Sequence, residues 1–425
     1  MRIPTITRQE LSWILYDVGN SAFVLVMITT VMPLYFKDVA AHNLPEATST
    51  AYWGYANSLA ALLLALMALP LGALGDIRDN KKRVFLALVL LGIIFTLLLA
   101  TPQSEQWLTC LCYFVLARVG WAGANILYDA FLVDVAAAKR MDQISAYGFG
   151  WGYIGSVVPF LAVIALILGA GESGNQAIPA HAARTGFLVV AVWWSLFTLP
   201  LWRNVQQHHG VAASRQPLRN SLRRLRETLR DIRGQRPVFL FLLAYFCYID
   251  GVDTIITMAT AYGRELHFNT NLLIAVVLFI QVIAFPFALL YGRLSKQFHT
   301  RNILLCGIGI YGFITLVAFL IPSAPGHDVK VALFWSLAFL VGSSMGGIQA
   351  LSRSYFAKLI PAHKSGEFFG LYNVVGKFSA ILGPFMVGLI GTLTGHSRWG
   401  VLSILLLFVI GAWLLRRMPA GVENH

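Results

Sequence analysis

The chain has 425 residues, of which 57% are hydrophobic and only 12% charged, and it carries a net charge of +13. Soluble domains average about 45–50% apolar and about 25% charged residues, so an ordinary soluble fold is excluded. A basic excess of this size points to nucleic acid or to an anionic membrane surface, and its distribution along the chain decides between them.

Runs of about 20 apolar residues are long enough to cross a bilayer. Twelve occur, at 11–36, 52–74, 84–101, 107–136, 146–170, 185–202, 237–262, 271–291, 302–321, 331–357, 367–391 and 398–415. The first is too long for a signal peptide, contains Asp17 and Asn20, and lacks a small-residue cleavage pattern after it. It is therefore expected to remain as the first span. An even number of spans places both termini on one side.

With the N-terminus in the cytoplasm, the outer loops hold Lys37, Arg184, Arg264, Lys330 and Arg398, and the spans hold Arg118 and Lys377. Every other Lys and Arg falls in an inner segment or, for Arg353, at the inner end of the tenth span, which predicts N-in and C-in. The net charge is then mostly a loop bias, and no nucleic-acid partner is expected. Cys110, Cys112, Cys247 and Cys306 all lie in predicted spans. Free thiols are expected, with neither a disulfide nor a metal site, and no cofactor is implied.

Several spans carry a polar face. In the first, Trp13, Tyr16, Asp17 and Asn20 share one side. In the fourth, Arg118, Trp121, Asn125, Tyr128 and Asp129 fall within about a third of the helix circumference, whereas Asp134 lies nearly opposite and is assigned to an inner helix-end contact. The seventh groups Phe246, Asp250, Asp253, Thr257 and Thr260. The tenth groups Trp335, Met345, Gln349, Ser352 and Arg353, and the eleventh Gly370, Asn373 and Lys377. Lipid-facing surfaces must be apolar, so such faces are expected to line a solvated interior.

Asp250 and Asp253 stand near the middle of the seventh span, where a charge costs about 3 kcal/mol or more. Three readings of the pair stay open: proton uptake and release, binding of a substrate ammonium, or internal salt bridges. Arg118 and Lys377 either join the path or neutralise nearby acids. Arg353 and Glu367 flank the inner 10–11 turn and read as a gate or a structural ion pair.

The longest connection, 203–236, divides the spans six and six. Domains are therefore expected at 1–203 and 237–425, joined by a linker at 204–236. Within the linker Leu218, Leu222, Leu225, Leu229 and Ile232 recur at helical spacing. Arg219, Arg223, Arg224, Arg226, Arg230 and Arg233 occupy the other faces. This reads as a basic amphipathic helix on the anionic inner leaflet, or as a solvated linker helix docked on the protein. His208-His209 is an isolated pair without further ligands. Gly150-Trp-Gly152-Tyr-Ile-Gly155 matches a dinucleotide fingerprint by letters only, because it lies in a membrane helix rather than after a strand.

The halves echo one another. Gly72-Ala-Leu-Gly-Asp76 ends the second span and Gly292-Arg-Leu-Ser-Lys296 the eighth. The segment from Gly72 through Asp76, Arg78, Asp79, Lys81, Lys82 and Arg83 resembles the loop 2–3 signature of the major facilitator superfamily. That resemblance implies a conformational latch of Asp76, Lys81 and Lys82. Asp79 stands where that signature usually has glycine, and Lys296 replaces the acid in the second-half copy.

A narrower resemblance covers most of the chain. Its residues are Tyr16-Asp17-Val-Gly19-Asn20-Ser21-Ala22, Tyr128-Asp129-Ala130-Phe131-Leu132, Ile144-Ser145-Ala-Tyr-Gly148, Gly152-Tyr153-Ile154-Gly155 and Trp193-Trp194 with Pro200. They continue in Tyr245-Phe-Cys-Tyr248-Ile-Asp250-Gly251-Val252, Gly346-Gly347-Ile348-Gln349-Ala350-Leu351-Ser352-Arg353-Ser354, Pro361, and Glu367-Phe368-Phe369-Gly370-Leu371-Tyr372. Together they resemble the vacuolar amino-acid effluxer family linked to autophagy, in a bacterial form. Asp129 and Asp253 depart from that pattern and add acid.

The resemblance implies an all-α major facilitator fold of twelve transmembrane helices in two pseudo-symmetric six-helix bundles. The expected function is secondary active export of small solutes, with amino acids as precedent, by alternating access and proton coupling. A drug or organic-cation antiporter is the alternative. A membrane enzyme or sensor is disfavoured, since no nucleophile, metal set or output domain is visible. The expected path residues are Asp17, Asn20, Arg118, Trp121, Asn125, Tyr128, Asp129, Asp250, Gln349, Asn373 and Lys377, with Asp250 and Asp253 for proton coupling. Asp76, Lys81, Lys82, Asp134, Arg353 and Glu367 are the expected latch. A monomer in a bacterial inner membrane is expected.

Overall fold

A computed structural model describes residues 6–103, 105–170, 178–212 and 235–418. The basic amphipathic segment, from Leu218 to Arg233, lies outside the described residues.

Twelve long helices run through the described chain. They are α1 Arg8–Ala40, α2 Glu46–Gly75, α3 Lys81–Leu98, α4 Trp107–Val135, α5 Ala138–Gly169 and α6 Ala180–Asn204, then α7 Arg236–Glu265, α8 Thr270–Leu294, α9 Thr300–Leu320, α10 His327–Leu359, α11 Ser365–Thr394 and α12 Ser397–Arg416. Eleven are by themselves long and apolar enough to cross a membrane. The twelfth, α3, opens on Lys81, Lys82 and Arg83, which dilute its 18 residues. Among the described residues the one extended pairing is a bridge between Ile77 and Val211.

Local sequence explains the helix ends and irregularities. Thr7 and Glu10 form a capping box at the start of α1: the Thr7 side chain accepts from Glu10 N and Glu10 accepts from Thr7 N. Farther along, α1 widens into π-helical turns at Val24–Thr30 and Phe36–Ala40 on either side of Pro33. Proline removes an N–H and crowds the preceding turn. Thr29 and Thr30 each donate a hydroxyl to the Leu25 carbonyl there. Prolines also lie inside α2, α5, α6, α8 and α11, as packed membrane helices tolerate.

The surface is inverted relative to a soluble protein. Leu66, Leu168, Phe385 and Leu393 are each more than half exposed, while Asp17, Asp76, Lys81, Asp250, Arg353 and Glu367 are buried. Exposed apolar and buried charged residues suit a hydrocarbon solvent.

The chain forms two compact units. The first comprises 1–136, 151–225 and 362–370, and the second 137–150, 226–361 and 371–425. Within the first, the main pairings are α1 with α6, α3 with α6, α2 with α4 and α3 with α4. Within the second they are α7 with α12, α9 with α12, α8 with α10 and α9 with α10. Every pairing recurs with each helix advanced by six, which is the internal repeat expressed as packing. The exceptions are α5 and α11, whose opening turns each belong to the unit that does not hold the rest of the helix.

Candidate functional site

In the first unit the polar faces of α1 and α4 meet. Trp13 Nε1 donates to the Tyr128 carbonyl at 2.9 Å, and the two rings stack with centroids 4.5 Å apart. Tyr16 packs on Tyr128 at 4.7 Å and on Phe85 at 5.0 Å. Trp121 Nε1 donates to the Asn20 carbonyl at 3.3 Å and its ring stacks on Phe23. Asp17 and Asn20 are buried, and Arg118, Asn125 and Asp129 are half-buried. The charges of Asp17 and Asp129 both act on the Tyr16 hydroxyl. Six of the expected path residues and the aromatic wall around them are therefore gathered by α1 and α4, with Arg118 farther along α4.

The second unit holds the other group. Asp250 on α7 is fully buried. Its Oδ1 accepts from Gly383 N of α11 at 2.9 Å and from Thr254 Oγ1 at 3.5 Å. A Cβ on Gly383 would lie 2.9 Å from that same oxygen, so only glycine admits the carboxylate. Asp253 is half-buried, and the charges of Lys377 on α11 and of Asp250 act on it. Tyr245 of α7 stacks on Tyr372 of α11 at 4.2 Å. Tyr248 and Ser352 share a hydrogen bond of 2.6 Å between α7 and α10. Gln349, Asn373 and Lys377 are half-buried. The two aspartates thus differ: Asp250 docks on helix backbone, and Asp253 faces a lysine. The unit also has a partly open, mainly apolar cavity of about 220 Å³, lined by Met258, Tyr262, Ile280, Ile314 and Phe334 among others.

The expected latch residues fall into two clusters, one in each unit. In the first, Asp76 accepts from Gly366 N at 2.7 Å and Glu367 N at 2.8 Å, the opening amides of α11. A carboxylate there satisfies free N–H groups and meets the positive end of the helix dipole. A Cβ on Gly366 would sit 3.0 Å from Asp76 Oδ1, so glycine is needed for this approach. Burial pushes the Asp76 carboxyl up to about 7, against the opposing pull of Lys81 and the two amides. Lys81 is buried and binds Asp134 Oδ2 at 2.7 Å, Ser365 Oγ at 2.9 Å and the Ala130 carbonyl at 3.3 Å. Lys82 donates to the Val205 carbonyl at 2.9 Å.

His208 and His209 have a part that sequence reading missed. Their backbone amides each donate to Asp134 Oδ1 at 2.9 Å, and His209 Nδ1 lies 3.2 Å away. The bridge from Val211 to Ile77 ties the same segment to the 2–3 turn. Asp79 in that turn has φ of 63°, the left-handed region that favours glycine. This accounts for the glycine usual at that position of the signature.

The second cluster centres on Asp142, which sequence reading did not select. Its Oδ1 accepts from Ser354 Oγ at 2.6 Å, and its Oδ2 from Lys358 Nζ at 2.5 Å and Thr300 Oγ1 at 2.8 Å. Arg353 Nε donates to Ser145 Oγ at 2.9 Å and Nη2 to the Ser145 carbonyl at 3.1 Å, and its guanidinium lies 4.2 Å from the Phe149 ring centroid. Lys296 replaced the acid of the repeat; here the acid is on the opening of α5, and the base, Lys358, is on α10. The signal that could have found it was an acid three residues before the Ser145 motif, paired with a lysine five residues after Arg353.

Twelve helices in two repeated units, with charged groups buried inside and leucines outside, define a multi-pass membrane transporter of the major facilitator type. Solved structures agree in fold. The proton:xylose symporter XylE superposes with a TM-score of 0.73 at 16% identity, covering 98% of this chain and 96% of its own. A bacterial homologue of the iron transporter ferroportin gives 0.68 at 14% identity, covering 97% and 98%. Residues 43–421 match the family model described as vacuole effluxer Atg22 like, and the chain belongs to that family. Among its relatives, the uncharacterised MFS-type transporter YxiO of Bacillus subtilis is 44% identical over 414 residues, 97% of this chain and 95% of the relative. Autophagy-related protein 22 of Eremothecium gossypii is 26% identical over 465 residues, 95% and 89% respectively.

Proposed function

We propose that this transporter exports amino acids or similar small metabolites across a bacterial inner membrane in exchange for protons, by alternating access. The observation that carries the coupling is the Asp250–Asp253 pair. Asp250 is buried on the α11 backbone, and one turn away Asp253 faces Lys377. Acids inside membrane helices mark proton relays and solute pathways. The amino-acid class follows the effluxer name of the family, and the bacterial membrane follows the Bacillus relative. Asp17, Asn20, Trp121, Asn125, Tyr128 and Asp129, with Gln349, Asn373 and Lys377, are assigned to the solute path. Asp76, Lys81, Lys82, Asp134, Arg353 and Glu367 are assigned to contacts that form and break during the cycle. The protein works as a monomer.

One observation favours a second reading, an organic-cation antiporter: the polar residues of the membrane helices include four acids, Asp17, Asp129, Asp250 and Asp253, against two bases, Arg118 and Lys377. Flux of leucine, alanine, lysine and a quaternary ammonium into proteoliposomes of the purified protein, under imposed pH gradients, separates the two. Amino-acid flux driven by the gradient supports the proposal. Flux of the quaternary ammonium alone supports the second reading, and no flux of any solute counts against both.

A further inference from the structure

Arg118 lies eleven residues after Trp107 and seventeen before Val135, which is roughly 16 Å and 26 Å along the axis of α4 at 1.5 Å per residue. It is half-buried. Its Nη1 is shielded from solvent and has no hydrogen-bond partner among the described residues. Guanidinium stays charged at any working pH, and a charge at membrane depth without a counter-ion is costly. Elsewhere in the same unit, Asp134 is bonded to Lys81 and Asp76 to the start of α11.

The helical wheel shows where the side chain is directed. Arg118, Asn125 and Asp129 fall within about 40° of one another at 100° per residue. Gly120 and Gly123, on the far side, pack against α3. Trp121 and Tyr128, on the near side, bond to α1 and are bonded by it. Leu111, Phe114 and Ala122 on the Arg118 side are buried, and Phe114 packs on Trp53 of α2; the polar residues of the stripe, Arg118, Asn125 and Asp129, stay half-buried. Asn125 Oδ1 on this stripe and Asn20 Oδ1 on α1 are likewise buried without partners among the described residues. Trp121, held by Asn20 and Phe23, supplies a fixed aromatic flank one turn from Arg118.

We infer that Arg118 is a carboxylate-binding station, so that this transporter selects solutes bearing a carboxylate over the corresponding amines. The inference deepens the amino-acid reading and rests on the polar face of α4 being part of the solute path. A planar monoanion matches the forked guanidinium donors. A dianion such as phosphate does not suit a single arginine on a unit whose path also carries Asp17 and Asp129. Those acids alone would favour free amines; Arg118 supplies the discrimination. Arg118 and Asp129 are about 16 Å apart along the axis, too far for one small amino acid to span. Arg118 is therefore a separate station from Asp129.

The test is thermal stability of the purified full-length protein with four probes. They are leucine, 4-methylpentanoate (leucine without its amine), 3-methylbutylamine (leucine without its carboxylate) and inorganic phosphate. Leucine and 4-methylpentanoate are expected to raise the Tm of the wild type, and the amine and phosphate are not. R118Q loses both shifts, with affinity weakened roughly tenfold or more, and R118K keeps part of them. Without ligand, R118Q melts no lower than wild type, because an uncompensated charge has been removed.

The assignment is overturned if R118Q keeps the 4-methylpentanoate shift, if no carboxylate shifts the wild type, or if phosphate or the amine gives the larger shift. It is also overturned if ligand-free R118Q is strongly destabilised and R118K is not, which would make the charge structural. If leucine is not transported while the 4-methylpentanoate shift remains dependent on Arg118, the amino-acid reading fails and the carboxylate station stands.

Discussion

Substitution of Lys81 by methionine tests the cluster between the 2–3 turn, the end of α4 and the start of α11. Lys81 and Asp134 are both fully buried, 2.7 Å apart. Methionine keeps the length and apolar bulk of the side chain but removes the cation. Asp134 then loses the partner of Oδ2 and keeps the His208 and His209 amides on Oδ1. Breaking a buried pair from one side costs about 3–5 kcal/mol. The two remaining amides place this case near the lower end, about 3 kcal/mol. If the affected unit melts as a block of about 150–250 residues, this corresponds to a Tm loss of roughly 6–12 °C. Removing both charges, in K81M/D134N, should cost far less than the sum of the single substitutions, because neither leaves an uncompensated charge. The assay is thermal unfolding of the four proteins in one detergent. A K81M loss of about 1 °C or less, or strict additivity across the cycle, would refute the reasoning.

Three further outcomes follow from the geometry. D142A removes the acceptor of Ser354, Thr300 and Lys358 and leaves Lys358 unpaired; a loss of about 2–4 kcal/mol is expected in the same melting assay, with D142N less damaging. G383A drives a Cβ against both Thr254 Oγ1 and Asp250 Oδ1, disturbing the contact of Asp250 with the α11 backbone, and should reduce proton-coupled flux several-fold while protein levels in the membrane hold; unchanged coupling would contradict the Asp250–Gly383 contact. Asp76 has an ordinary value of 3.8 and a folded value of about 7. Its protonated form is favoured by folding, so its contribution to stability is complete below about pH 4 and is lost as pH rises through about 7. Tm should therefore fall between about pH 4 and 7 less steeply in D76N than in wild type; parallel curves would remove Asp76 from that titration.

The helices and their repeat were legible because hydrocarbon imposes a simple code: long apolar runs, basic inner loops and polar faces turned from lipid. The face of α4 was legible for the same reason, since a period of 3.6 residues groups Trp121, Asn125, Tyr128 and Asp129 without knowledge of their partners. What each buried acid binds was not. Asp250 bonds to the amide of Gly383, and Asp142 to Ser354 and Lys358, across more than a hundred residues in both cases. Backbone amides leave no mark in a sequence. The degraded copy at Lys296 gave no pointer to the second cluster, because its acid, Asp142, lies on α5. Likewise, His208 and His209 each donate a backbone amide to Asp134, a contact that residue type does not reveal. Asp79 was visible as a departure from the signature, and only its φ of 63° shows what the glycine is for.

The central claim is that the aspartate pair of α7 couples solute export to proton entry. It is tested most directly by counting protons. Proteoliposomes loaded with leucine and a pH-sensitive dye, with the membrane potential clamped, are diluted into leucine-free buffer. Leucine leaving the wild-type vesicles should acidify the lumen, and D250N/D253N should pass leucine down its gradient with no acidification. Equal acidification by the wild type and the double variant would contradict the assignment.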